Sequence, residues 1–290
     1  MISIVICSAS PDFQKQVVEN LSQTVGCDHE FIVFDNRLHR YGLCKVYNLC
    51  AEKAKHSYLC FAHEDILIET KDWGKRLIAH FERDREIGAI GVAGIGFVSE
   101  RPKPSTPRAA AFFRVKHIDK RTGRRANIWR PKGVQGLFRV ATIDGQFIFT
   151  TKDVWSQCRF DEERFTHFHL YDLDFSMQVN RRYKVMATTE IDITHFSFGT
   201  YDATHRAFYL KFIEKWKDRL PLLQISESAS PTQIVKIFTH DILNHLRDGH
   251  FDLAKRSFEH LKRALARPTL PLALQCAALS PIVMLSTLRD

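Results

Sequence analysis

The chain lacks any Cys-x-x-Cys pair. Its seven cysteines, Cys7, Cys27, Cys44, Cys50, Cys60, Cys158 and Cys276, are scattered over 290 residues, which disfavours zinc and a disulfide framework. Several sit in apolar runs and read as reduced core residues. No apolar run is long enough to span a bilayer, and no basic-then-apolar leader is present. The expected location is therefore the cytoplasm. No Gly-rich turn follows the first apolar run. Ser8-Ala9-Ser10-Pro11 stands there instead, which disfavours a dehydrogenase. The glycines of residues 87–97 are not followed by Gly-Lys-Ser/Thr, so a phosphate loop is set aside in favour of close packing of a central strand. Acids are nearly missing from residues 101–139, where twelve Lys or Arg stand against Asp119 alone. The remaining chain holds 30 basic and 32 acidic residues. The net charge of +9 thus belongs to one basic segment on a nearly neutral body.

What is present fits a globular protein: 44% hydrophobic and 26% charged residues can build a sizeable core. The length allows one large domain, or one domain with an appendage. Residues 2–7 read as a buried strand, 12–24 as a helix with Phe13, Val17 and Leu21 four apart, and 30–34 as a second strand ending at Asp35. That order is a βαβ unit, in which an acid after the second strand often meets a ribose or base. Residues 44–56 and 73–83 read as helices. Strand character returns over 140–151, followed by a short helix at 152–157. Residues 172–182 read as a helix with Asp172 in its first turn and Asp174 as a surface acid near its start. A strand over 184–193 leads to His195. Residues 203–219 form an amphipathic helix, 224–230 a linker, and Ser230-Pro231 a helix start. Two further helices, over 234–246 and 251–265, and a last apolar helix to about Leu288 make a C-terminal helical region, 230–290. Its apolar faces must cover the main domain, another subunit or a membrane surface.

Two stretches stand apart. Residues 99–136 are Pro-rich, basic and weakly periodic, and read as a long loop or a poorly ordered excursion. Phe112, Phe113 and Trp129 interleave there with Arg and Lys, a composition suited to an anionic partner. The second is YLCFAHEDILIE, residues 58–69. A buried strand over 58–62 delivers His63, Glu64 and Asp65 at its end. Adjacent acids there raise each other's pKa, and a hard divalent cation would remove that cost. The plainer explanation is a solvated acidic loop.

Asp35, the His63-Glu64-Asp65 cluster, Asp172 and His195 occur in an order that resembles the nucleotide-sugar glycosyltransferases of the GT-A fold, in particular inverting enzymes of the family 2 kind. The resemblance rests on ISIVICS, FIVFDNR, YNLCAEKAKHSYLCFAHEDILIE, IDGQFIFT, YDLDFSMQVNRR, THFSFGT and FIEKWKDRLP. It implies an α/β fold with a mixed central sheet flanked by helices, a transferase domain over 1–222 carrying the basic insertion 99–139, and the helical appendage. It implies that Ser8 and Asp35 hold the nucleoside. Glu64 and Asp65 stand at the family's Asp-x-Asp motif, with Asp65 and His195 on Mn2+ or Mg2+. His63 replaces the first aspartate, which leaves open whether it or Glu64 touches the metal. Asp172 matches the catalytic base of the family's Glu-Asp pair, with Tyr171 in place of the Glu. Gly145 and Gln146 would line the acceptor side. The implied reaction moves a sugar from a nucleoside-diphosphate donor, UDP-sugar favoured, to a glycan, lipid-linked or protein hydroxyl in surface glycan synthesis. The basic segment would close over the diphosphate or grip an anionic acceptor. Peripheral contact with the inner face of a membrane and self-association through the C-terminal helices are further expectations; a nucleic-acid partner is not favoured. Two alternatives stay open: a metal-dependent phosphodiesterase or nuclease, and a non-catalytic module of the same fold that binds an anionic partner.

Overall fold

Residues ISIVICS are apolar except at Ser3 and Ser8, as in a strand covered on both faces. They form β1 (Ile2–Ser8) in the computed structural model, which describes residues 1–120, 122–199, 201–226 and 229–266. β1 lies between β2 (His29–Asp35) and β3 (Tyr58–His63) and is parallel to both. The connections are α1 (Pro11–Thr24) and α2 (Leu43–Lys53). Ser10 starts α1: its hydroxyl accepts from the Phe13 N–H, and Pro11 follows at the first helical position.

After β3 come β4 (Ile66–Ile68), α3 (Trp73–Arg83) and the short strands β5 (Ile87–Gly91), β6 (Ala93–Ile95) and β7 (Phe97–Val98). Then follow β8 (Ala111–Ile118), β9 (Arg125–Arg130), β10 (Leu137–Val140), β11 (Thr142–Ile143), β12 (Phe147–Thr151) and α4 (Lys152–Gln157). The chain continues through α5 (Tyr171–Val179), β13 (Lys184–Thr188), β14 (Ile193–His195), α6 (Ala203–Trp216) and β15 (Leu222–Leu223). It ends, within the described residues, in α7 (Pro231–Arg247) and α8 (Phe251–Leu265).

The central sheet has the order β10-β13-β5-β12-β3-β1-β2 and is mixed, with β12 antiparallel to both neighbours. Alternation along its strands feeds two cores. Val5, Leu59, Phe61 and Ile148 face the side covered by α2, α5, α6, α7 and α8. Ile4, Ile6, Cys60, Phe147 and Phe149 face the side of α1 and α3. A second sheet, β11-β6-β8-β14-β4 with β9 paired to β8, stands at the strand ends. This is the mixed α/β arrangement expected. The appendage joins the same core: Phe238 of α7 stacks edge-on against Phe97, and Ile234 and Ile237 are buried.

Several local expectations are corrected. Residues 99–136 are not a plain loop. β8 and β9 form an antiparallel hairpin built into the second sheet. Two of its basic residues are paired with acids rather than merely solvated, Arg114 with Asp192 and Lys116 with Glu69, and the Arg114 guanidinium lies over Trp129. The glycine-rich run over 87–97 is three short strands, because it changes sheets. Its glycines do serve close packing: a Cβ on Gly91 would lie 2.7 Å from Ile143. The strand over 184–193 also divides, β13 in the central sheet and β14 in the second. Asp174 is not a surface acid. It is buried, bonded to Lys215 Nζ at 2.7 Å and accepting from Trp216 Nε1 at 2.9 Å. The last apolar helix lies outside the described residues.

Candidate metal and catalytic site

β3 ends at His63, whose N–H donates to the Gln146 carbonyl (3.0 Å). Glu64 then turns back. Its carboxylate accepts from the Ser8 hydroxyl (2.7 Å), the Ala9 N–H (3.1 Å) and the Ser10 N–H (3.0 Å). These donors precede the first turn of α1, where a negative charge is favoured. Glu64 and Ser8 are thus bonded to each other, and Glu64 stands outside the cluster that forms beside it. Asp65 points the other way. Its carbonyl accepts from the Phe196 N–H (2.9 Å), which fixes the connection to β4.

β14 brings His195 to the same place. It pairs antiparallel with β4 and parallel with β8, so His195 stands opposite Ile66 on one side and His117 on the other. Asp65 Oδ1 lies 3.4 Å from His195 Nε2 and 3.8 Å from His63 Nδ1. One ligand atom from each of His63, Asp65 and His195 falls within 4.8 Å of the others. Bonds of about 2.1 Å to a six-coordinate ion place neighbouring donors about 3 Å apart and opposite ones about 4 Å apart, and the two spacings from Asp65 fall in that range. His195 Nδ1 is buried without a hydrogen-bond partner among the described residues. Burial pushes the His63 imidazole down to about 4 against the pull of Asp65, which leaves it neutral and able to ligate. Burial opposes ionisation of Asp65, but the bond to His195 and the two imidazoles outweigh it and hold its carboxyl below the usual range. Two imidazoles and one carboxylate suit a borderline ion such as Mn2+ better than Mg2+, which prefers oxygen alone.

α5 supplies the neighbouring chemistry. Leu170, just before it, is buried with φ +65°, a left-handed conformation that costs a non-glycine residue free energy. This turn sets Tyr171 and Asp172 at the helix start. The Tyr171 hydroxyl lies 2.6 Å from His63 Nε2, which leaves His63 Nδ1 toward Asp65. Asp172 Oδ2 accepts from the Gly145 N–H (2.9 Å). Only glycine fits at 145, since a Cβ would stand 2.0 Å from the Tyr171 hydroxyl. Burial and the nearby charge of Asp144 raise the Asp172 carboxyl to about 7. A carboxylate poised there is matched to taking a proton near neutral pH. Gln146 is buried, with Oε1 lacking a partner among the described residues.

Asp35 sits apart, exposed at the end of β2 and forked by Arg37, which lowers its carboxyl to about 2. Phe34, His39 and Tyr41 cluster beside it, with His39 and Tyr41 stacked at 5.1 Å. The sequence leaves the part of His63 open and marks no role for Asp144, His117 or the Tyr171 hydroxyl. The His63-x-Asp65 spacing, with both side chains leaving one strand end, was the available signal for His63. Nothing in the sequence signals His117, which reaches the site through strand pairing. Burial lowers its pKa, and its Nδ1 lies 2.8 Å from the Ser197 carbonyl. The hairpin it belongs to rests on the flank of the site, with Lys120 over Phe13 and Phe196 and Arg124 over Phe198.

A family model described as "Glycosyltransferase like family" matches residues 3–198. No curated protein matches the chain. Among solved structures, GalNAc-T7 with UDP, GalNAc and Mn2+ superposes with a TM-score of 0.53 at 13% identity, over 75% of this chain and 48% of that one. The chain thus spans about half the length of that structure. Residues 1–349 of S. aureus TarS superpose with a TM-score of 0.46 at 11% identity, over 92% of this chain and 93% of that one.

Proposed function

This chain belongs to the glycosyltransferase-like family with a GT-A fold, and on that premise we propose that it transfers a sugar from a nucleoside-diphosphate donor to an acceptor hydroxyl with inversion. The observation that carries the reading is the convergence of His63, Asp65 and His195 beside a carboxyl, Asp172, held near neutral pKa. Asp65, His195 and His63 would hold Mn2+, and the bound ion would neutralise charge on the diphosphate leaving group. Asp172 takes the proton of the acceptor hydroxyl as that oxygen forms its bond to the sugar carbon. The Gly145 N–H orients Asp172 for this, and Tyr171 fixes the ring of His63. The nucleoside lies over the end of β2, where its ribose or base exchanges with Arg37 for Asp35. UDP is the favoured nucleotide, by analogy with the ligand of GalNAc-T7. The β8–β9 hairpin supplies cations to the flank of the site, and the acceptor belongs to a surface glycan pathway. Residues 1–222 form the transferase unit.

The nuclease reading calls for a second metal, and among the described residues one cluster able to hold an ion is present. A binding module without catalysis would retain nucleotide affinity without turnover. A thermal-shift panel of UDP, GDP and their sugars, each with and without Mn2+, tests the proposal on the wild type and on Asp65→Ala. A shift that needs both nucleotide and Mn2+ and is lost in the variant supports it. A protein that no nucleotide shifts is not a nucleotide-sugar transferase.

A further inference from the structure

The segment between α4 and α5 leaves Phe168 exposed beside the site. The residue is 53% exposed, yet its ring centroid lies 5.5 Å from that of His63 and 6.4 Å from that of Tyr171. From Phe168 the rings continue outward. His169 follows at 5.7 Å, His205 at 5.2 Å from His169, and Tyr201, 77% exposed, at 4.9 Å from His205. Asp202 caps α6 under this ledge, its Oδ1 3.7 Å from His169 Nε2. The left-handed turn at Leu170 holds Phe168 out while Tyr171 and Asp172 point in.

We infer that this ledge is the acceptor subsite and that the acceptor is a pyranose sugar, its C–H face stacked on Phe168 and its hydroxyl turned toward Asp172. The inference rests on the transfer reading above and names its acceptor class. A sugar ring is amphipathic: one face presents polarised C–H bonds, which an aromatic face attracts through its quadrupole, and its rim presents hydroxyls. The ledge has the same duality, with aromatic faces interleaved with two imidazoles and a carboxylate. A lipid chain would call for a continuous apolar surface, and a Ser or Thr hydroxyl on a peptide has no flat ring to stack. An exposed phenyl ring within one side chain of the cluster otherwise leaves apolar surface uncovered.

Saturation-transfer NMR with methyl β-glucopyranoside, methyl β-galactopyranoside and methyl N-acetyl-β-glucosaminide, on the full chain with and without UDP and Mn2+, reads the contact directly. The expected result is transfer to ring C–H protons of at least one glycoside, weakened about tenfold in affinity by Phe168→Ala and retained in Phe168→Trp. The melting shift given by UDP with Mn2+ stays intact in Phe168→Ala. If the UDP shift is present but no glycoside responds, or Phe168→Ala responds like wild type, the acceptor inference is overturned and the donor reading stands. A Phe168-dependent glycoside signal on a protein that no nucleotide shifts overturns the transfer reading and leaves a sugar-binding platform. Loss of both signals overturns both.

Discussion

Asp172 is costly to ionise where it stands, because burial and Asp144 raise its carboxyl to about 7 from an ordinary 3.8. Between those two values the folded state binds more protons than the unfolded one, so this residue's contribution to stability falls as pH rises through that window. Asp172→Asn removes the penalty and can keep the Gly145 bond. At pH 8 it is expected to stabilise the fold by about 1–3 kcal/mol, after discounting for partial exposure, while abolishing transfer. Urea melts read the first effect and a coupled diphosphate-release assay the second. In the wild type, kcat/KM should rise with pH through about 7 as the base deprotonates. Tyr171 acts through His63: Tyr171→Phe deletes the 2.6 Å contact and frees the imidazole to turn. Titration calorimetry should show Mn2+ affinity lower by about tenfold, with the fold intact by circular dichroism. At this scale the sequence spoke unevenly. Motif order singles out Asp65, Asp172 and His195, and the fold brings Asp65 within 3.4 Å of His195. The direction in which Glu64 points was not, since adjacent carboxylates at a strand end look alike until the backbone donors of Ala9 and Ser10 are in place.

At the scale of elements, α5 and α6 are held together by a buried ion pair. Asp174 is 1% exposed and shares Lys215 with Asp161. Lys215→Met leaves Asp174 buried with only Trp216 and Gln178 as donors, and should cost about 3–5 kcal/mol in urea unfolding. A smaller effect is expected at Glu64. Glu64→Ala strips three donors of their acceptor at the start of α1 and should cost about 1–2 kcal/mol by the same measurement. The elements that sequence periodicity locates well are those whose apolar positions face one core. α1, α3 and β1 are of that kind. The β8–β9 hairpin escaped because β9 alternates on weakly apolar residues and its stabilising contacts are charge pairs with Asp192 and Glu69, distant in sequence. β14 escaped because three residues in a second sheet cannot be told from the end of β13 by pattern alone.

At the scale of the whole molecule, the C-terminal helices and the residues before them share one apolar interior. Ile234, Ile237, Phe238 and Ile242 of α7 are buried in the cluster that also contains Phe97 and Phe212. A chain ending at residue 226 would expose that face. It should be recovered largely in inclusion bodies, or melt well below the full chain in a thermal scan, since each such side chain contributes about 1.5–3 kcal/mol when buried. Among the described residues no helix is long and apolar enough to cross a membrane.

The three candidate ligands do not share one hydrogen-bonded ladder. His63 ends a strand of the central sheet, His195 belongs to the second sheet, and Asp65 lies on the link between them. An ion held there would act as a clasp across a seam. Chelation should then loosen the seam itself: amide hydrogen exchange should quicken in β4 and β14 while β1 stays protected. Because the same ion would carry the donor's phosphates, a full donor site would also be a closed seam, and the protein's breathing would report its occupancy.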